Sequence, residues 1–165
     1  MISHAVADAA SLMRVAVLDD DIRFIRMVER ILQHEQMSIQ PITTMDIDEA
    51  LGVITATRCD AAIIDVYMYG SQLGFTLVEH LRAHPATANL PIVVASGARR
   101  EIGKRVDFLQ AHRCGVLLKP FEIDELVLKL AAAVETEQEA PSVRVPSPGL
   151  GGALHRVTTA LHGGS

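Results

Sequence analysis

Residues 14–21 read RVAVLDDD, a short β-branched run of strand length that ends on three consecutive acids. The period changes immediately afterwards. Over residues 22–34, Ile25, Val28 and Leu32 recur at i, i+3 and i+7, which is the spacing of one helix face. The alternation then repeats along the chain. Residues 37–42 form a weak strand and 47–57 a helix; 61–64 (AAII) form a strand ending in Asp65, and 74–84 a helix. Residues 91–95 (PIVVA) form a strand, 99–112 a helix with Ile102, Val106 and Leu109 on one face, 116–118 a strand and 123–134 a closing helix.

Five strand–helix units in this order imply right-handed βαβ crossovers, hence an α/β fold with a parallel five-stranded sheet covered by five helices on both faces. The near-continuous aliphatic strands agree, because parallel strands are buried on both faces. In such sheets the ligand crevice lies at the carboxyl ends of the strands. Four strand ends carry polar groups: Asp19, Asp20 and Asp21, then Asp65, Ser96 and Lys119.

These groups suit phosphoryl chemistry. A hard divalent cation, Mg2+ or Mn2+, is held by one or two carboxylates with water and phosphate oxygens, and Asp19 or Asp20 with Asp65 supplies them. A carboxylate also attacks phosphorus to give an acyl phosphate, with Asp65 the central candidate. Lys119 and the Ser96 hydroxyl provide the cation and donor that the outer phosphoryl oxygens require. Singly, each residue has a plainer reading: Asp21 as the N-cap of the following helix, Ser96 as a loop hydroxyl, Lys119 as a solvated cation.

Taken together, VLDDD (17–21), AAIIDVYM (61–68), LPIVVASG (90–97) and GVLLKPF (115–121) resemble the receiver domain of bacterial two-component response regulators over residues 14–134. The resemblance implies a doubly wound, flavodoxin/CheY-like sheet of strand order 2-1-3-4-5. It makes Asp65 the phosphoacceptor and gives magnesium to Asp19, Asp20, Asp65 and the Tyr67 backbone carbonyl. Ser96 becomes the switch hydroxyl, Lys119 the phosphoryl counter-ion and Lys119–Pro120 a cis peptide, and Gly97 leaves room for a small phosphodonor. The implied role is a cytoplasmic, stand-alone response regulator, not an enzyme in the ordinary sense, although it would catalyse its own phosphorylation and dephosphorylation. Its implied partners are a sensor histidine kinase or histidine phosphotransfer protein, and a downstream protein or second copy at the face of helix 4, strand 5 and helix 5.

Several positions depart from the family pattern. Tyr69 stands four residues after Asp65 where proline is usual, Gly74 comes one residue late, and Val116 replaces the aromatic switch residue. These departures keep a non-switching, receiver-like adaptor in view. A phosphatase resembling the haloacid dehalogenases is a weaker alternative. Asp19-x-Asp21, Ser96 and Lys119 follow that family's order, but Asp124 and Glu125 fall inside a helix and Asp65 has no role there.

The remaining sequence sets bounds. The 165 residues are 49% hydrophobic and 21% charged with a net charge of −5, which suits one globular domain and disfavours nucleic acid as a partner. Cys59 and Cys114 match no metal or disulfide spacing and read as buried thiols of a reducing compartment; the seven histidines are scattered. No apolar run is long enough for a membrane span, and residues 1–12 lack the basic start of a secretory signal. Residues 1–13 read as an extension, with Met13 an alternative start. Residues 135–165 read as a tail too rich in Pro and Gly to pack or to form an output module, with 135–152 as a linker and Leu154, Val157 and Leu161 at helical spacing.

Overall fold

The computed structural model describes residues 12–139. Its strands are β1 (Arg14–Leu18), β2 (Ser38–Ile42), β3 (Ala61–Ile64), β4 (Ile92–Ser96) and β5 (Cys114–Leu118). The helices are α1 (Ile22–His34), α2 (Ile47–Ala56), α3 (Leu73–Ala83), α4 (Arg99–Lys104), α5 (Val106–Ala111) and α6 (Ile123–Glu139). All strand pairs are parallel and the order is β2-β1-β3-β4-β5, as the resemblance implies.

The two-residue period of the strands divides the core. Val15, Val17, Ala61, Ile63, Val93 and Ala95 face α1 and α6, while Ala16, Leu18, Ala62, Ile64, Ile92 and Val94 face the helices α2 to α5. Every side chain of β3 and β4 is buried. The strand pairing carries the chain ends of β1, β3, β4 and β5 to one edge of the sheet, so polar residues that follow these strands are neighbours however far apart in sequence.

Two helix boundaries differ from the sequence reading. The fourth helical stretch is broken at Arg105 into α4 and α5, giving six helices among the described residues rather than five. Its guanidinium lies 4.9 Å from the Phe75 ring centroid and 6.0 Å from that of Phe108, and donates to Gln72 Oε1 at 3.1 Å. Across the break Ile102 and Leu109 stay buried, but Val106 turns outward to 45% exposure instead of sharing their face. The second difference is at the end of α6, which continues to Glu139, so residues 135–139 are helix rather than linker. Glu137, on the same face as Leu126, Leu130 and Ala133, is buried against Arg82 and Arg113 and anchors this last turn. Residues 140–165, and with them the rest of the proposed tail, lie outside the described residues, as do 1–11; Met13 packs on the core and its carbonyl accepts the Ser38 N–H.

Candidate functional site: an acid cluster at the carboxyl edge of the sheet

Asp19 leaves β1 directly into the crevice and is 1% exposed. Its Oδ1 accepts the Asp21 N–H at 2.8 Å and its Oδ2 meets Lys119 Nζ at 2.5 Å. Asp65, at the end of β3, accepts from the Ser96 hydroxyl at 2.8 Å and the Tyr67 N–H at 2.9 Å on Oδ1, and from Lys119 Nζ at 3.1 Å on Oδ2. One ammonium thus bridges two buried carboxylates. Ser96 is itself buried and already turned toward Asp65, and its Oγ also accepts the Ala98 N–H at 3.3 Å.

Lys119 arrives from β5, whose register with β4 continues through its N–H to the Ser96 carbonyl, and the Lys119–Pro120 peptide is cis. Its Nζ lies 3.7 Å from the centroid of the Phe24 ring, which meets Phe121 edge-on. Phe24 is a site neighbour that the sequence reading missed. It sits one position before the apolar stripe of α1, and its signal is a buried aromatic one turn into the helix that follows the acids.

Asp19, Asp20 and Asp65 each offer a carboxylate oxygen within 4.8 Å of the others'. Three hard oxygen donors in this arrangement fit a magnesium or manganese ion, which takes few protein carboxylates and fills its octahedron with water and phosphate oxygen. Asp21 does not join the cluster: its carboxylate caps α1 through the Arg23 N–H at 2.9 Å, which is the plainer of its two readings. The bond from the Arg23 side chain holds the Asp21 carboxyl below the usual aspartate range. Burial pushes Asp19 the other way, above that range, against the bonds from Lys119 and the Asp21 N–H.

That shift has a stability consequence. A carboxyl whose folded pKa is raised binds its proton more readily in the folded chain, so its contribution favours folding below the unfolded value of about 3.9 and is lost as pH rises through the folded value. At neutral pH the ionised Asp19 therefore opposes folding. Metal-free Asp19→Asn is expected to melt above the wild type at pH 7, with the gap closing toward pH 4. An equal or lower melting temperature at pH 7 would show that the Lys119 pair outweighs burial.

The loop after β3 is built as a two-residue turn. Tyr69 and Gly70 have φ of 50° and 72°, and Met68 and Ser71 exchange backbone bonds of 3.0 and 2.9 Å across them. A tyrosine in the left-handed region stores strain of about 1–3 kcal/mol. Tyr69 offsets it with two bonds of 2.8 Å: its N–H donates to Asp20 Oδ2 and its hydroxyl to the Thr43 carbonyl. Gly74 then begins α3 against the strand end, where a Cβ would stand 2.3 Å from Val66 Cα and 2.4 Å from the Asp65 carbonyl oxygen. Only glycine permits this approach, so the late position of Gly74 is matched to the turn that precedes it. A Cβ at Gly97 would meet open space.

A sequence model of the response regulator receiver domain matches residues 15–131. The chain belongs to this family. Among curated relatives it is 36% identical over 119 residues to the transcriptional regulatory protein PrrA of Mycobacterium leprae, covering 72% of this chain and 48% of that one. It is 29% identical over 121 residues to the phosphate regulon transcriptional regulatory protein PhoB of Escherichia coli, covering 73% and 51%. This receiver chain spans about half the length of the curated relatives it matches. Among solved structures, the chemotaxis response regulator CheY4 of Vibrio cholerae aligns with a TM-score of 0.63 and 27% identity, covering 74% of the receiver chain and 99% of its own. A putative response regulator of Chloroflexus aurantiacus aligns at 0.64 with 29% identity, covering 75% and 98%.

The family match and the strand order exclude the haloacid dehalogenase reading, and Asp21 is occupied as a helix cap. Neither cysteine enters the receiver's site, and burial pushes the Cys114 thiol up to about 11. No helix among the described residues is long and apolar enough to cross a membrane.

Proposed function

We propose that this receiver accepts a phosphoryl group on Asp65 and passes the signal on through protein contacts. The observation that carries the reading is the convergence on Asp65 of Lys119, Ser96 and the Tyr67 N–H, beside the Asp19 and Asp20 carboxylates. In the transfer, an Asp65 oxygen bonds to phosphorus as the bond from phosphorus to the donor breaks, leaving an acyl phosphate and the free donor group. Mg2+, held by Asp19, Asp20, Asp65 and the Tyr67 carbonyl, supplies positive charge to the phosphoryl oxygens when bound. Lys119 supplies a second cation and Ser96 a hydroxyl donor.

The donor in the cell is then a sensor histidine kinase or a histidine phosphotransfer protein, and the setting is cytoplasmic. Output as a single-domain regulator runs through the face of α4, α5, β5 and α6, where Arg99 and Arg100 are exposed. With Val116 at the position expected for an aromatic switch residue, coupling relies on polar links instead. Ser96 Oγ holds the Ala98 N–H at the entry to α4, and Gln72 joins Glu101 of α4 to Arg105 at the break.

Intact mass after incubation with magnesium and acetyl phosphate tests the reading. A single adduct of one phosphoryl group, lost on hydroxylamine treatment, is expected. No adduct from acetyl phosphate or from a kinase panel would leave the non-switching adaptor as the better account.

A further inference from the structure

The three acids of the cluster are held in unequal ways. Asp19 and Asp65 are buried and share Lys119, so packing and charge fix both. Asp20 is exposed and joins no ion pair among the described residues. An exposed carboxylate on a two-torsion side chain rotates freely unless something binds it. The bond its side chain makes is to the Tyr69 N–H, 49 residues away in sequence.

Tyr69 can donate there only because of its backbone. In the left-handed conformation its N–H points back across the crevice, and Gly70 completes the turn at φ 72°. The hydroxyl reaches the Thr43 carbonyl beyond β2, so one residue ties together the loops after β1, β2 and β3. The bond engages Asp20 Oδ2 and leaves Oδ1 free for a cation.

We infer that Tyr69 is a positioning residue for the divalent cation, acting through its backbone N–H, which orients the Asp20 carboxylate toward Asp19 and Asp65. The inference rests on the magnesium site of the proposed function. It goes further by assigning ion affinity to a residue that contributes no ligand atom, and by making the left-handed turn a functional part of the site. Groups that orient metal ligands typically control affinity by about tenfold to hundredfold.

The test uses manganese chloride with the full chain, reading free Mn2+ by the amplitude of its paramagnetic resonance signal. Tyr69→Pro removes the N–H and forces φ negative, and it is expected to raise the dissociation constant by about tenfold or more. Tyr69→Gly keeps both the N–H and the positive φ, and Tyr69→Phe loses only the hydroxyl. Both are expected to bind manganese within a few-fold of the wild type. Melting in EDTA accompanies each titration, because a purely structural lesion lowers the melting temperature without a selective loss of ion. Should Tyr69→Pro fail to fold, Gly70→Val strains the other half of the turn and is expected to weaken manganese in the same direction. Wild-type affinity in a folded Tyr69→Pro or Gly70→Val overturns the inference. So does a loss in Tyr69→Gly equal to that in Tyr69→Pro, because the ring would then be responsible. Absence of binding by the wild type itself would instead remove the magnesium site, and the inference with it.

Discussion

Asp65→Asn is expected to take up no phosphoryl group under conditions that label the wild type fully. The amide has neither the charge nor the free carboxylate oxygen that attacks phosphorus. The other two acids do not replace it: Asp19 is 1% exposed and its Oδ2 lies under the Lys119 ammonium at 2.5 Å, while Asp20 is held at the rim by Tyr69. The fold is expected to persist. Asparagine matches aspartate in size, its carbonyl oxygen still accepts from Ser96 and Tyr67, and Lys119 keeps Asp19 as a partner. Removing one of three clustered negative charges also relieves repulsion in the metal-free chain. Parallel mass spectra of wild type and variant, with melting curves, check both parts. A normal adduct on Asp65→Asn would move the phosphoacceptor elsewhere, with Asp20 as the nearest exposed carboxylate.

The residues proposed to carry this chemistry were legible in the sequence because they end strands. An aliphatic run such as AAII leaves little doubt about where β3 stops, and the parallel topology then places Asp65 beside Asp19 and Lys119 from 54 residues away. Features set by side chains reaching across the fold were not legible. Gly103, two residues before Arg105, is the local signal of a break that the apolar spacing of Ile102, Val106 and Leu109 overrides; the contacts of the guanidinium with Phe75 and Gln72, about 30 residues earlier, are made only in the folded chain. The turn at Tyr69 had a faint signal in the glycine that follows it, but a tyrosine in its first position ran against the preference for Asn or Asp. The end of α6 was misplaced for a different reason. Composition turns polar after Val134, although the spacing of Leu126, Leu130 and Ala133 continues one step further onto Glu137. A carboxylate on a core face requires a cation opposite, and the cations come from α3 and from the entry to β5.

That arrangement makes Glu137→Ala the largest expected loss of stability. The Glu137 side chain is 4% exposed and that of Arg82 9%, with Nη2 and Oε1 3.0 Å apart. Burial lowers the Arg82 pKa, and Glu137 is the main group opposing that shift. Removing the carboxylate leaves a buried guanidinium without its counter-charge, a change that costs about 3–5 kcal/mol. The second pair, Arg113 to Glu137 at 3.1 Å, adds little, because Arg113 is 39% exposed and water screens it. Urea unfolding at pH 7 is expected to show a loss of this size in Glu137→Ala and a comparable one on truncation after Val134. A loss below about 1 kcal/mol would place the pair among the neutral ones. Replacing both partners by apolar residues is not expected to restore the wild type. Arg82 also donates to the carbonyls of His112, Ala88 and Leu90 at 2.8, 3.1 and 2.6 Å, and these would be left without a donor. The proposed phosphoacceptor supplies the control. The pair lies where the strands begin and Asp65 where they end, so folded Glu137→Ala is expected to take up phosphoryl as the wild type does. A selective loss of labelling would show that this pair communicates with the site through the sheet.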